Sequence, residues 1–133
     1  MRILVVGAGG VGSAVVPIAV RRDFFERLVV ADYDLGRAKG AVARFPADAR
    51  LLAACVDASH SDDIAALCRE HGITHVLNAV DPRFVMPIFE GAFAAGVDYL
   101  DMAMSLSHPD PEAPYERTGV KLGDEQFART DAW

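Results

Sequence analysis

The sequence predicts an α/β fold: a single doubly wound parallel sheet with strand order 3-2-1-4-5 and helices on both faces. Three observations carry that reading. Five short apolar segments alternate with four stretches of helical periodicity, the alternation that βαβ crossovers produce. The first segment runs straight into glycines at positions 7, 9 and 12, the spacing G-x-G-x-x-G. The second segment ends on an acidic residue, Asp32, about 20 positions further on. A glycine motif alone is weak. Placed between a strand and a helix, with a carboxylate at this distance, it is the fingerprint of a Rossmann-type dinucleotide fold.

Residues 2–6 are too apolar to face water on either side and so form a central strand covered on both faces. Residues 10–22 follow as a helix, with Val11, Ala14, Val15, Ile18 and Ala19 as the inward stripe. Pro17 lacks an amide hydrogen and is expected to kink that helix near Ser13. Residues 28–31 are the second strand, ending at Asp32-Tyr33-Asp34. Asp34 caps a helix over residues 35–45, weakened by Gly36 and Gly40 and stopped by Pro46. Residues 50–56 are a third strand running into Asp57-Ala58-Ser59, and Ser61 caps a helix through His71 that Gly72 closes. Residues 73–80 form the fourth strand. Pro82 opens a helix through Ala95, bent or split by Pro87 and closed by Gly96, and residues 97–102 are the fifth strand.

This places residues 1–104 in one dinucleotide-binding domain. Residues 105–119 hold prolines at 109, 111 and 114 and read as an extended connector, and residues 120–130 suit a short, partial helix. A connector and half an element at residues 105–133 give the expectation of a chain truncated before a substrate-binding catalytic domain.

Composition narrows the function. With 52% hydrophobic and 24% charged residues the chain is a folded domain rather than a disordered one. A formal net charge of -6 leaves no basic stripe for a nucleic acid backbone. The first strand begins at residue 2 and no run of about 18 apolar residues follows, so neither a signal peptide nor a membrane span is expected. A cytoplasmic location is expected, with Cys55 and Cys68 as free thiols. The histidines at 60, 71, 75 and 108 show no metal-ligand spacing and are assigned no role.

The candidate binding residues sit where strands end. Gly7 permits the tight turn out of the first strand, Gly9 lets the backbone approach a pyrophosphate, and Gly12 lets helix and strand pack closely. The amides around Gly9, Gly10, Val11 and Gly12 open a helix whose positive end favours an anionic phosphate. Asp32, with Tyr33 beside it, can accept from both ribose hydroxyls of an adenosine and would repel a 2′-phosphate, which favours NAD over NADP. Arg37, if it reached back, would instead tolerate that phosphate. Asp57, with Ala58, lies where an adenine amino group is expected, or simply caps the next helix. Asn78, Ala79 and Val80 end the fourth strand at the switch point, where small side chains keep a crevice open and Asn78 offers a donor and an acceptor. Tyr99, Asp101 and Ser105 cluster near the expected nicotinamide end, Asp101 more simply as a hydrogen-bonded loop carboxylate. No nucleophile with its base and no carboxylate pair is visible, so catalytic residues are unassigned and the chemistry falls to the cofactor and to groups outside this segment.

Val5-Val6-Gly7-Ala8-Gly9-Gly10-Val11-Gly12, Ala31-Asp32-Tyr33-Asp34, Val56-Asp57-Ala58 and His75-Val76-Leu77-Asn78-Ala79-Val80, followed by Gly96-Val97-Asp98-Tyr99-Leu100-Asp101, resemble the N-terminal cofactor domain of saccharopine dehydrogenase-like proteins. The resemblance covers about residues 1–105. It implies NAD(P)-dependent oxidoreduction at the carbon–nitrogen bond of an amino acid of the lysine or a related polyamine type. It also implies a second, larger domain that binds substrate and supplies most catalytic groups, leaving this segment inert alone. Many reductases of that family carry Ser-Arg at the tip of the second strand for NADP. Asp32-Tyr33 departs from that, which makes lysine 6-dehydrogenase-like members as good a match as saccharopine reductases. The competing reading is a stand-alone nucleotide-sensing module of the kind attached to potassium transporters, which works as a dimer. Tyr99, Asp101 and the proline-rich exit favour the enzyme. A methyltransferase-type adenosyl site fits less well, since it would not need the second and third glycines. A homodimer formed through exposed apolar surface is a further expectation.

Overall fold

A computed structural model describes all of residues 1–133. Five parallel strands, β1 (Arg2–Val6), β2 (Arg27–Asp32), β3 (Leu51–Cys55), β4 (His75–Asn78) and β5 (Asp98–Asp101), form one sheet in the order β3-β2-β1-β4-β5. Sequence and structure agree on the order and on every strand. The connecting helices are α1 (Gly10–Ala19), α2 (Leu35–Val42), α3 (Ser61–His71) and α4 (Val85–Ala95), with a short α5 (Asp124–Phe127) after β5.

Alternation along the central strands divides the interior in two. Leu4 and Val6 of β1 join Val29 and Ala31 of β2 and Val76 of β4 under α3 and α4. Val5, with Leu28 and Val30, points the other way, under α1 and α2. Both faces of β1 are thus apolar because both are covered, which is why its sequence shows no polar alternation.

The face that α1 buries differs from the expected stripe. Gly12, Val16 and Ala19 point inward, while Val11, Ala14 and Ile18 are exposed, Ile18 at 60%. The helix is apolar on nearly every side, so periodicity alone does not select a face. Gly12 does. A Cβ there would lie 1.7 Å from the Gly7 carbonyl oxygen, so only a glycine can face β1, and positions 16 and 19 follow it on the same side. Pro17 lies within α1, which remains one element but ends at Ala19 rather than residue 22.

Other bounds move for local reasons. Asp34 does cap α2, accepting from the Gly36 and Arg37 amides, yet the helix ends at Val42, before Pro46. Ser61 is the first residue of α3 rather than its cap. His60 takes the cap position without a side-chain bond, and Asp62 and Asp63 complement the helix dipole. Gly72 and Gly96 close α3 and α4 at φ 59° and 66°. The split expected at Pro87 falls earlier: Pro82–Phe84 is a separate 3-10 turn, and Pro87 sits in the first turn of α4, where no amide is needed.

Arg50 pins the entry to β3. Its guanidinium forks onto Asp48 at 2.9 and 2.6 Å, donates to the Arg22 and Val20 carbonyls, and lies 4.1 Å from the Phe25 ring centroid. That hydrogen-bonded guanidinium holds the Asp48 carboxyl below the usual aspartate range. Beyond β5 the chain doubles back. His108 and Val120 form an antiparallel bridge, and the Gly123 amide donates to the Ser105 carbonyl. No helix is long and apolar enough to cross a membrane.

Candidate dinucleotide crevice

The carboxyl ends of β1, β2 and β4 meet at a crevice of about 570 Å³. The crevice lies at the switch point, where β1 is flanked by β2 on one side and β4 on the other. Nine of the sequence-derived residues line it: Gly7, Gly9, Asp32, Tyr33, Arg37, Asp57, Ala58, Ala79 and Val80. Gly12 lies behind the wall, holding α1 to the β1 loop. Gly10 and Val11 are exposed in the first turn of α1 and reach the crevice only through the helix's amino end.

The glycines divide the work sterically. Gly7 leaves β1 at φ 100°, a left-handed conformation, and a Cβ there would meet the Val80 side chain at 2.6 Å and the Ala79 carbonyl at 2.9 Å. Gly9 lines the crevice and has nothing within 4 Å of where a Cβ would be, so the backbone there is open to a ligand. That open cradle at a helix amino end fits a pyrophosphate.

Asp32 is buried, at 7% exposure. Its two oxygens accept from the Ala8 amide at 2.8 Å and the Asp34 amide at 2.9 Å. The carboxylate therefore ties the glycine loop to the tip of β2, and each oxygen keeps a lone pair for a further donor. Tyr33 stands 72% exposed on the outer lip, with the Arg37 guanidinium 5.7 Å from its ring centroid and 3.8 Å from Asp34. Arg37 does reach the crevice wall. On the far side Asp57 accepts from the Ser59 hydroxyl at 2.6 Å and amide at 2.9 Å. Those bonds from Ser59 hold its carboxyl below the usual range.

Asn78 does not line the crevice. It is 2% exposed, its Nδ2 donates to the Tyr99 hydroxyl at 2.9 Å, and its Oδ1 accepts from the Val80 amide at 3.1 Å. Both halves of the amide are taken up within the protein, and Asn78 shapes the crevice by fixing Val80. Burial pushes the Tyr99 hydroxyl well above the usual tyrosine range against the opposing Asn78 bond, and the Asp101 carboxylate adds to the shift. Asp101 in turn accepts from Gln126 Nε2 at 2.7 Å, and Gln126 Oε1 accepts from the Ser105 amide at 2.8 Å. Asp101 and Ser105 are thus joined through a glutamine of α5, while Tyr99 is held by Asn78.

Sequence reasoning did not find Asp81 and Phe84, which also line the crevice. Asp81 accepts from Arg83 at 2.9 Å and caps the 3-10 turn, and that Arg83 bond holds its carboxyl low. An acid just before a proline and two residues before an arginine was the available signal.

The model of the saccharopine dehydrogenase NADP binding domain matches residues 3–133. Carboxyaminopropylagmatine dehydrogenase of Synechocystis sp. is 28% identical over 102 residues, a stretch of 77% of this chain and 25% of that enzyme. Apo saccharopine dehydrogenase (L-Glu forming) from Saccharomyces cerevisiae superposes with a TM-score of 0.65 at 16% identity, over 83% of this chain and 22% of that one. UDP-glucose-4-epimerase from Stenotrophomonas maltophila, solved with bound NAD, gives 0.64 at 18% identity over 99% of this chain and 48% of its own. The last two are likenesses of fold. The chain spans about a quarter of the length of the Synechocystis dehydrogenase.

Proposed function

The chain belongs to the saccharopine dehydrogenase NADP binding domain family, and from that premise we propose that it is the cofactor-binding part of an NAD(P)-dependent oxidoreductase acting on the carbon–nitrogen bond of an amino acid of the saccharopine or lysine type. The observation that carries the cofactor reading is the buried Asp32 carboxylate, hydrogen-bonded to the Ala8 amide in the wall of the glycine-lined crevice. Gly7 and Gly9 with the amino end of α1 hold the pyrophosphate. Asp32 takes the adenosine ribose, and Asp57 and Ala58 border the adenine. Bound there, NAD(P) supplies a hydride acceptor or donor. Substrate-binding groups come largely from a further domain, in keeping with the greater length of the relatives, so this segment alone binds the dinucleotide without turnover. The nucleotide-sensing alternative is not favoured, because the matching family is one of dehydrogenase cofactor domains.

Asp32 points to NAD, since a carboxylate repels a 2′-phosphate at close range, while Arg37 on the crevice wall is the one lining cation that would favour NADP. Parallel calorimetric titrations with NADH and NADPH decide between them. NADH is expected to bind at least tenfold tighter, about 1.4 kcal/mol. Equal or tighter NADPH binding would transfer the specificity role from Asp32 to Arg37. Binding of neither would sink the cofactor reading.

A further inference from the structure

We propose that Tyr99, on the edge strand β5, is a positioning residue for the dinucleotide crevice, acting through Asn78 to set Val80 against the Gly7 turn; this rests on the cofactor reading above. Tyr99 itself does not line the crevice, whereas Gly7, Ala79 and Val80 do.

The sheet stops just short of the crevice wall. The paired residues of β1 and β4 run out at Val6 and Asn78, and those of β4 and β5 at Asn78 and Asp101. One residue further on, the Ala79 amide still donates to the Val6 carbonyl at 2.9 Å. Val80 has a different anchor: its amide donates to Oδ1 of Asn78 at 3.1 Å, a side-chain bond to the backbone two residues on that makes an Asx turn. Val80 then closes on the glycine loop. A Cβ at Gly7 would lie 2.6 Å from Val80 Cγ1, so the valine fills the space beside the turn up to the glycine backbone.

Donor and acceptor chemistry fixes which way the Asn78 amide points. A backbone N–H only donates, so the Asn78 atom facing Val80 is the oxygen, and the NH₂ group faces the other way. Asn78 is 2% exposed, so that NH₂ needs an acceptor inside the protein. It has one, the Tyr99 hydroxyl oxygen at 2.9 Å. The phenol is itself held in place: Phe89 of α4 meets its ring edge-on, with centroids 5.2 Å apart and an interplanar angle of 88°. A phenylalanine at 99 keeps that ring contact and offers no acceptor. The buried NH₂ then finds a partner only if Asn78 turns, and the Asx turn that holds Val80 goes with it.

The test is a double-mutant cycle in NADH affinity, read by fluorescence titration well below the melting temperatures, with wild type, Tyr99→Phe, Asn78→Leu and the double variant. Tyr99→Phe is expected to weaken NADH about fivefold. Asn78→Leu is expected to weaken it at least as much, and the double variant no further than Asn78→Leu alone, because Tyr99 acts only through Asn78. Leu28→Val is the control for general loosening. Leu28 is fully buried at the opposite end of β2 from the crevice, and its variant is expected to lower Tm yet bind NADH within about twofold of wild type. Amide hydrogen exchange of the ligand-free chain gives a second readout: Tyr99→Phe is expected to speed exchange at Val80 at least tenfold and to leave the Val5 amide of the central strand protected. Tyr99→Phe binding NADH as wild type does, single losses that multiply in the double variant, a Leu28→Val loss as large as that of Tyr99→Phe, or unchanged exchange at Val80 would each overturn the proposal. A wild-type chain that binds no NADH would overturn the cofactor reading and this proposal together. Failure of the proposal alone looks different, with wild type binding and Tyr99→Phe binding equally well.

Discussion

Gly12→Ala and Gly9→Ala differ by three positions in one loop and are expected to fail in different ways. At Gly12 the new Cβ would sit 1.7 Å from the Gly7 carbonyl oxygen and 2.9 Å from its carbon. Opening 1.7 Å to even 3.0 Å, a separation below which real Cβ atoms essentially never come, requires a shift of about 1.3 Å. The obstacle is backbone, which cannot rotate aside as a side chain would. Overpacking typically costs about 1–3 kcal/mol, and this site belongs at the upper end. The helix-propensity gain of alanine over glycine returns about 1 kcal/mol, leaving a net loss of about 2 kcal/mol. For a domain of this size that lowers Tm by roughly 6–8 °C. At Gly9 nothing lies within 4 Å of the new methyl and the backbone is extended, at φ -70° and ψ -164°, so there is neither clash nor strain. The stability cost is confined to the N-cap preference for glycine over alanine, under about 1 kcal/mol. Because Gly9 lines the crevice, the methyl is expected to crowd a bound dinucleotide, and NADH affinity is expected to fall at least tenfold. Thermal melts by circular dichroism and fluorescence titration with NADH read the two effects separately. The reasoning fails if Gly9→Ala melts as early as Gly12→Ala, or if it binds NADH as wild type does.

Three further predictions follow from the same geometry. Asp32→Asn places an amide NH₂ against either the Ala8 or the Asp34 amide, so chemical denaturation should show a loss of about 1–3 kcal/mol, and the NADH-to-NADPH affinity ratio should fall. Because the folded pKa of Asp48 lies below its unfolded value, its pairing with Arg50 stabilises the fold above about pH 4 and is lost as pH drops through the folded value. The Tm difference between wild type and Asp48→Asn should therefore be constant near neutrality and vanish in acid; a gap that persists at pH 2 would contradict it. Burial pushes the Cys68 thiol up to about 11, whereas Cys55 is exposed. An aromatic disulfide reagent should titrate one thiol of the native chain rapidly and the second only in denaturant, and two fast thiols would refute the burial argument.

Strand order and the crevice's position were legible because they follow from local signals: apolar segments covered on both faces, a glycine loop, and an acid at a strand tip. The face of α1 was not, since a helix apolar all round gives no moment to read, although Gly12 held the answer sterically. Asn78 was legible as a residue of the switch point but not as one whose amide is consumed by Tyr99 and Val80, because that pairing spans β4 and β5. Asp81 and Phe84 were hidden because the break in residues 82–95 was expected at Pro87, whereas a separate 3-10 turn, capped by Asp81 and ending at Phe84, precedes α4. The Asp101–Gln126 bond joins positions 25 residues apart across a folded-back segment, and no spacing rule predicts it.

The carboxylate that ties Ala8 to the tip of β2 bears on how the crevice fills. A loop already fixed by a hydrogen bond has little conformational entropy left to lose on binding, so more of any contact energy appears as affinity. Association then needs no prior rearrangement, and its rate should follow ligand concentration without a plateau. The same rigidity limits what the loop can report. A ligand shifts an equilibrium only between states that bind it differently, and a loop tied to the tip of β2 through Asp32 has little to redistribute. Occupation of the crevice is therefore expected to pass on little change of shape.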